Sequence, residues 1–210
     1  MSHGALSIFV RGRALCMVAA LHVALAGCAS VPAEFFYTLS ATVPAEHTVA
    51  TNPAWDAGIV VDTATIPEAV DRPQLVISAG ENRVVILEQQ RWAEPLKAQI
   101  ARTVAVNLAR LLGTARVSAY PQAADGEAAY RVTLDMQRFD ARRGDAVMIE
   151  VLWTVRGPAG AALRSGRSTL REAIRSDDYG ALVTAYSRAL ATLSSDVATA
   201  LKSAPAAPRT

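Results

Sequence analysis

Residues 130–156 read YRVTLDMQRFDARRGDAVMIEVLWTVR, and two strands are written in them. Tyr130, Val132, Leu134 and Met136 alternate with Arg131, Thr133, Asp135 and Gln137. Val147, Ile149, Val151, Trp153 and Val155 repeat the pattern after "DARRGD", residues 140–145, which reads as a hairpin loop. A period of two puts the apolar residues on one face of a sheet and the polar ones on the other. A turn at "GPAG", 157–160, leads to a more polar third strand ending near Ile174. Three strands in series form an antiparallel meander with one covered face and one wet face.

Outward from the meander, the period changes to that of helices. Leu96, Ile100, Val104, Leu108, Leu111 and Leu112 lie on one helical face, with Lys97, Arg102 and Arg110 off it. Pro95 suits the first helical position, and Gly113 suits the residue just past the end. A second helix follows the meander, capped by Asp177 or Asp178. Its stripe is Tyr179, Leu182, Val183, Tyr186, Leu190, Leu193, Val197 and Leu201. Shorter apolar runs predict strands at Phe35–Leu39, Ile59–Asp62, 72–78, 82–89 and 115–121. The third and fourth of these, joined through residues 79–82, read as a hairpin. Residues 41–57 read as a loop and residues 204–210 as a disordered tail. The fold class is α+β: a mostly antiparallel sheet with two amphipathic helices packed on one face.

The start of the chain is read as a targeting segment. Arg11 and Arg13 precede an apolar run, Ala14–Ala26, too short to span a bilayer by itself. It ends in Leu25-Ala26-Gly27-Cys28, the order of a bacterial lipobox. Cleavage before Cys28 would leave a cysteine carrying a covalent diacylglyceryl group and an N-acyl chain such as palmitate, and stable anchoring takes more than one chain. Ala29 stands where an Asp would favour retention at the inner membrane, so the expected site is the periplasmic face of the outer membrane. The domain reading is a signal peptide at 1–27, one domain at 28–203 and the tail.

Removing residues 1–27 takes away two of the 21 basic residues and none of the 19 acidic ones. The remaining net charge is zero, which gives no field for nucleic acid. Cys16 leaves with the same segment, so Cys28 has no intramolecular disulfide partner.

Catalytic signatures are sparse. One histidine, His47, remains after processing, in the loop. No nucleophile elbow, zinc-ligand set or phosphate loop occurs, and no cofactor is expected beyond the lipid on Cys28. Asp177 and Asp178 are neighbours in sequence before an amphipathic run, which fits capping better than paired acid–base work. The arginines of 140–145 have the chemistry to bind an anion, but a solvated hairpin tip accounts for them. Met148 and Leu152 make the meander's second face partly apolar, which fits either a lipid or, better, a covering helix or partner.

Trp92 lies among charged and amide residues, three positions before Pro95. One reading makes it a hydrophobic staple on the first turn of the helix, between Leu96 and Ile100, with Arg91 and Glu94 fixing the corner. The other joins Arg91 and Trp92 with Asp71, Arg72, Pro73 and Gln74 in a partner-docking surface, since Trp and Arg dominate interface hot spots.

Asp71-Arg72-Pro73-Gln74, Arg91-Trp92-Ala93-Glu94-Pro95-Leu96, Asn107-Leu108, the early FFYTLS at 35–40 and the lipobox together resemble the ABC-type transport auxiliary lipoproteins of the PqiC family. The resemblance runs from about residue 28 to 203. It implies a non-enzymatic lipoprotein working with an inner-membrane ABC permease and a periplasmic MCE-domain protein in phospholipid transport, and no catalytic residue is carried over. A ring-shaped conduit partner would suit a homo-oligomer. Two other classes remain open: a lipid-binding carrier, and an activator of a cell-wall enzyme.

Overall fold

Alternation in sequence becomes burial in the fold. In the computed structural model, which describes residues 32–43, 58–121, 130–157 and 160–203, Tyr130, Val132, Leu134 and Met136 are all buried while Arg131 and Asp135 are exposed. Residues 1–31, with the signal segment and Cys28, lie outside the described residues. So do 44–57, with His47, and the tail 204–210. From Glu34 onward the described residues make one compact unit.

The elements in chain order are β1 (Phe35–Tyr37), β2 (Ile59–Val61), a 3₁₀ turn (Glu68–Val70), β3 (Gln74–Ser78) and β4 (Val84–Trp92). They are followed by α1 (Leu96–Leu112), β5 (Val117–Ala119), β6 (Tyr130–Arg142), β7 (Ala146–Arg156), β8 (Ala162–Ala173) and α2 (Tyr179–Lys202).

The fold is α+β with mostly antiparallel pairing, as expected, but its strands form two mixed sheets rather than one. A five-stranded sheet has the order β5-β2-β6-β7-β8, and a three-stranded sheet has the order β1-β4-β3. The predicted meander and the β3–β4 hairpin are antiparallel. However, β2 runs parallel to both β5 and β6, and β1 runs parallel to β4. The strands β1, β2 and β5 have three residues each, too few to show a period that would assign a partner. Both helices pack on the five-stranded sheet and on each other, α1 over β2 and β5, α2 over β7 and β8.

Two features of the meander differ from its sequence pattern. The register of β6 against β7 shifts between Met136 and Arg138. This bulge moves Phe139 and Ala141 onto the buried face, which simple alternation from Met136 would leave to Arg138 and Asp140. The hairpin is also tighter than "DARRGD" suggested. Strand pairing continues to Arg142–Ala146, and the turn narrows to Arg143-Gly144-Asp145, with Gly144 at φ 71°.

Among the described residues no helix covers the wet face of the sheet, which leaves a partner as the expected cover for Met148 and Leu152. Leu152 is exposed beside a run of charges in which Arg138 and Arg167 each reach Glu150 at 3.8 Å.

Gly166 on β8 lies under the ring of Trp153. A Cβ built there would sit 2.2 Å from Cζ2 of the tryptophan. That ring is held on the same edge, because Trp153 Nε1 donates to Ser168 Oγ at 3.1 Å and Ser168 donates to Asp196 of α2 at 2.5 Å. Gly166→Ala is therefore expected to cost about 1–3 kcal/mol by overpacking, measured as a lower denaturant midpoint. An unchanged midpoint would show that the ring swings aside freely.

At α2, Asp178 is the N-cap. Its Oδ1 accepts the Ala181 N–H at 2.7 Å, satisfying one of the free donors of the first turn. The hydroxyl of Ser176 and then that amide hold the Asp178 carboxyl below its usual range. A folded-state pKa below the unfolded one means the cap contributes fully above the ordinary carboxylate range and is lost as pH falls through the lowered value. The Ala181 amide resonance is expected to titrate with that lowered midpoint. A midpoint at the ordinary carboxylate value would remove the cap from this account.

Candidate functional site

Two segments separated by some twenty residues in sequence meet at one cleft. The first is the turn before β3. After the 3₁₀ turn, the Asp71 N–H donates to Glu68 O at 3.2 Å and the Arg72 N–H to Val70 O at 2.9 Å. Pro73 has no N–H to donate, but its carbonyl accepts the Trp92 N–H at 2.7 Å. The second is the corner from β4 into α1. There the Ala93 N–H donates to Tyr37 O at 2.9 Å, so both neighbouring strands grip the chain as it leaves the sheet. The resulting cleft, of about 330 Å³, is lined by Asp71, Arg72, Pro73, Trp92, Ala93, Glu94, Pro95 and Leu96.

Of the six residues expected at a docking surface, the structure brings Asp71, Arg72, Pro73 and Trp92 to this cleft. Gln74 and Arg91 turn elsewhere. Gln74 Nε2 donates to Glu88 Oε2 at 3.1 Å, across a register shift between Gln74 and Leu75 in the β3–β4 pairing. Arg91 pairs with Glu34. Cys28, the expected lipidation site, lies outside the described residues.

The charges at the rim are mostly matched. Lys97 Nζ lies 2.6 Å from Asp71 Oδ2, tying the first turn of α1 to the turn before β3. Glu94 takes both ends of the Arg102 guanidinium, with one arm at 3.0 Å. Those bonds hold the Glu94 carboxyl below its usual range. Arg91 and Glu94 each make charge-assisted bonds at the corner, Arg91 with Glu34 and Glu94 with Arg102. Pro95 occupies the N-cap of α1, one position earlier than predicted, and accepts from the Ala98 and Gln99 N–H groups at 3.0 and 3.1 Å.

Trp92 is only 6% exposed. Its ring meets Phe139 edge-on at 6.5 Å between centroids and lies 6.4 Å from Tyr186 of α2, while Phe139 and Tyr186 stack at 4.0 Å. Leu96 shares this environment, lining a small void with Trp92, Phe139, Leu182 and Tyr186. The tryptophan thus joins both sheets and α2, a wider role than a staple on α1 alone. It forms one wall of the cleft as well as part of the core.

Sequence reading named Asn107 only within the family pattern and did not foresee the polar residues that hold the strap at 39–43. Gln99, 4% exposed, accepts the Leu39 N–H at 2.8 Å and donates to the Glu94 carbonyl at 2.8 Å, linking the strap to the cleft corner. Ser187 Oγ accepts the Ser40 N–H at 3.1 Å, and Asn107 Oδ1 accepts the Val43 N–H at 3.3 Å. Arg110 donates to the carbonyls of Ala41 and Val43. The available signal was a polar residue interrupting an apolar helical surface, as Gln99 and Asn107 do. At the hairpin tip, Arg143 is occupied by Asp177, through the carboxylate at 3.0 Å and the carbonyl at 2.9 Å, and lies 5.1 Å from the Tyr179 ring centroid. Among the described residues, no three potential ligands gather into a metal-binding group, and no helix is long and apolar enough to cross a membrane.

Comparison with known proteins adds to this geometry. A crystal structure of an uncharacterized protein shares the fold at a TM-score of 0.64 and 20% identity, covering 81% of this chain and 99% of that one. A Xanthomonas campestris protein does so at 0.59 and 18%, covering 78% and 92%. A PelC dodecamer from Paraburkholderia phytofirmans is matched at 0.42 and 17%, covering 69% and 94%. No curated protein sequence matches the chain. Residues 37–198 match the family described as the ABC-type transport auxiliary lipoprotein component.

Proposed function

We propose, from the premise that this chain belongs to the ABC-type transport auxiliary lipoprotein family, that it docks a periplasmic lipid-transport conduit at the outer membrane. The family is an auxiliary component of transport and not an enzyme family. In this reading the chain performs no catalysis. Cys28 carries the lipid anchor, and the conduit is an MCE-domain protein served by an inner-membrane ABC permease that hydrolyses ATP in a separate subunit.

The observation that carries the reading is the convergence of Asp71-Arg72-Pro73 with Trp92–Leu96 on one cleft. These are the segments that bear the family pattern most specifically. They are held in place by the clamps Asp71–Lys97 and Glu94–Arg102. A concave, rigid-walled site with apolar lining and a few charges is what a protein docking segment requires.

The test is cross-linking in gently solubilised envelopes, with the tagged full chain as bait and mass spectrometry as readout. An MCE-domain protein should be recovered. Recovery should fall with Ala93→Arg, which adds a long side chain at an exposed lining position while leaving the Trp92 core intact. Capture that is indifferent to Ala93→Arg would move the docking surface away from the cleft. Capture of cell-wall enzymes, or of lipid with no protein partner, would replace the reading altogether.

A further inference from the structure

Resting on that docking role, we infer that the cleft takes a single carboxylate beside an apolar side chain, presented by an extended segment of the protein partner, with Arg72 as the donor. The first ground is an unmatched group. Among the described residues, Arg72 Nε is buried with no hydrogen-bond partner, and the guanidinium joins neither of the ion pairs at the rim, Lys97–Asp71 and Arg102–Glu94. Buried donors without an acceptor are uncommon enough that each calls for an explanation. Its neighbours are matched within the chain, Asp71 by Lys97 and Glu94 by Arg102. Arg72 is therefore the cation that the surroundings of the cleft leave over.

The balance of charge selects the ligand. Asp71 and Glu94 against Lys97, Arg102 and Arg72 leave one positive charge in excess. One carboxylate neutralises it, and the planar fork of a guanidinium matches carboxylate geometry. A phosphate dianion would leave the cleft net negative, facing two fixed carboxylates. The N-terminus of α1 adds to the same field. Pro95 supplies no side-chain cap there, and the first turn holds no acidic residue, so its positive end keeps its attraction for an anion. The remaining lining includes the apolar Pro73, Trp92, Pro95 and Leu96. At about 330 Å³ the space lies near the lower end of ligand pockets, enough for a few side chains of one segment and too small for a folded element.

The test uses the full lipidated chain in detergent micelles and an array of decapeptides, each with one Glu next to a Leu, together with Gln and phosphoserine counterparts at the Glu position. Wild type should bind Glu peptides at least about tenfold more tightly than their Gln counterparts, the scale of a charge-assisted hydrogen bond. Arg72→Gln should abolish that preference with an unchanged unfolding midpoint, and Arg72→Lys should keep part of it. The inference is overturned if wild type binds no Glu peptide, if Arg72→Gln keeps the preference, or if the phosphoserine counterparts bind more tightly. The array needs no identified partner. Its failure alongside successful cross-linking would remove the carboxylate while leaving the docking role in place.

Discussion

Trp92→Ala is expected to lower the stability of the fold by about 3–5 kcal/mol, the usual range for truncating a buried tryptophan. Trp92 is 6% exposed and is held between Phe139 of β6 and Tyr186 of α2. Truncation removes contacts to both sheets and a helix at once. It also enlarges the small void already lined by Trp92, Leu96 and Leu182, and residual cavity volume adds to the transfer cost. Equilibrium denaturation should show a large fall in midpoint with little change in slope. Trp92→Phe should lose less, because a ring still meets Phe139 and Tyr186. A loss below about 1 kcal/mol for the alanine variant would mean that the aromatic cluster repacks without it. The size of the expected effect bears on function too. A partner lost from Trp92→Ala reports unfolding as readily as docking, which is why Ala93 and Arg72 are the residues to vary in binding tests.

Cys28→Ser is expected to release the protein from membranes and abolish metabolic labelling with palmitate. On the proposal that Cys28 is acylated, its chains would supply the attachment, at roughly 0.8 kcal/mol per buried CH₂. No helix among the described residues is long and apolar enough to cross a membrane. Labelling is the deciding readout, since an unprocessed precursor would remain membrane-bound through its apolar segment. Palmitate incorporation into Cys28→Ser would refute the anchor.

The sequence by itself determined the elements whose period is long enough to read. The alternation of β6 and β7, the α1 stripe from Leu96 to Leu112, the α2 stripe from Leu182 to Leu201, the β3–β4 hairpin and the left-handed Gly113 all appear where residue chemistry placed them. Local chemistry sufficed because each is fixed by neighbours within a few residues: a period, a cap or a turn. The Asp178 cap belongs with them.

The tertiary structure alone decided how these pieces meet. Three-residue strands such as β1, β2 and β5 carry no partner information, so the division into two sheets and the parallel pairings depend on long-range contacts. The bulge after Met136 turned Phe139 inward to meet Trp92, a step that alternation cannot foresee. The cleft was half legible. Its two segments stood out as motifs, but Gln74 and Arg91 belong to other partnerships, and the isolation of Arg72 appears only once Lys97 and Arg102 are seen to neutralise the acids beside it. A local pattern fixes what each residue prefers. Which preferences are met, and which donor is left over, depends on groups brought together from distant parts of the chain.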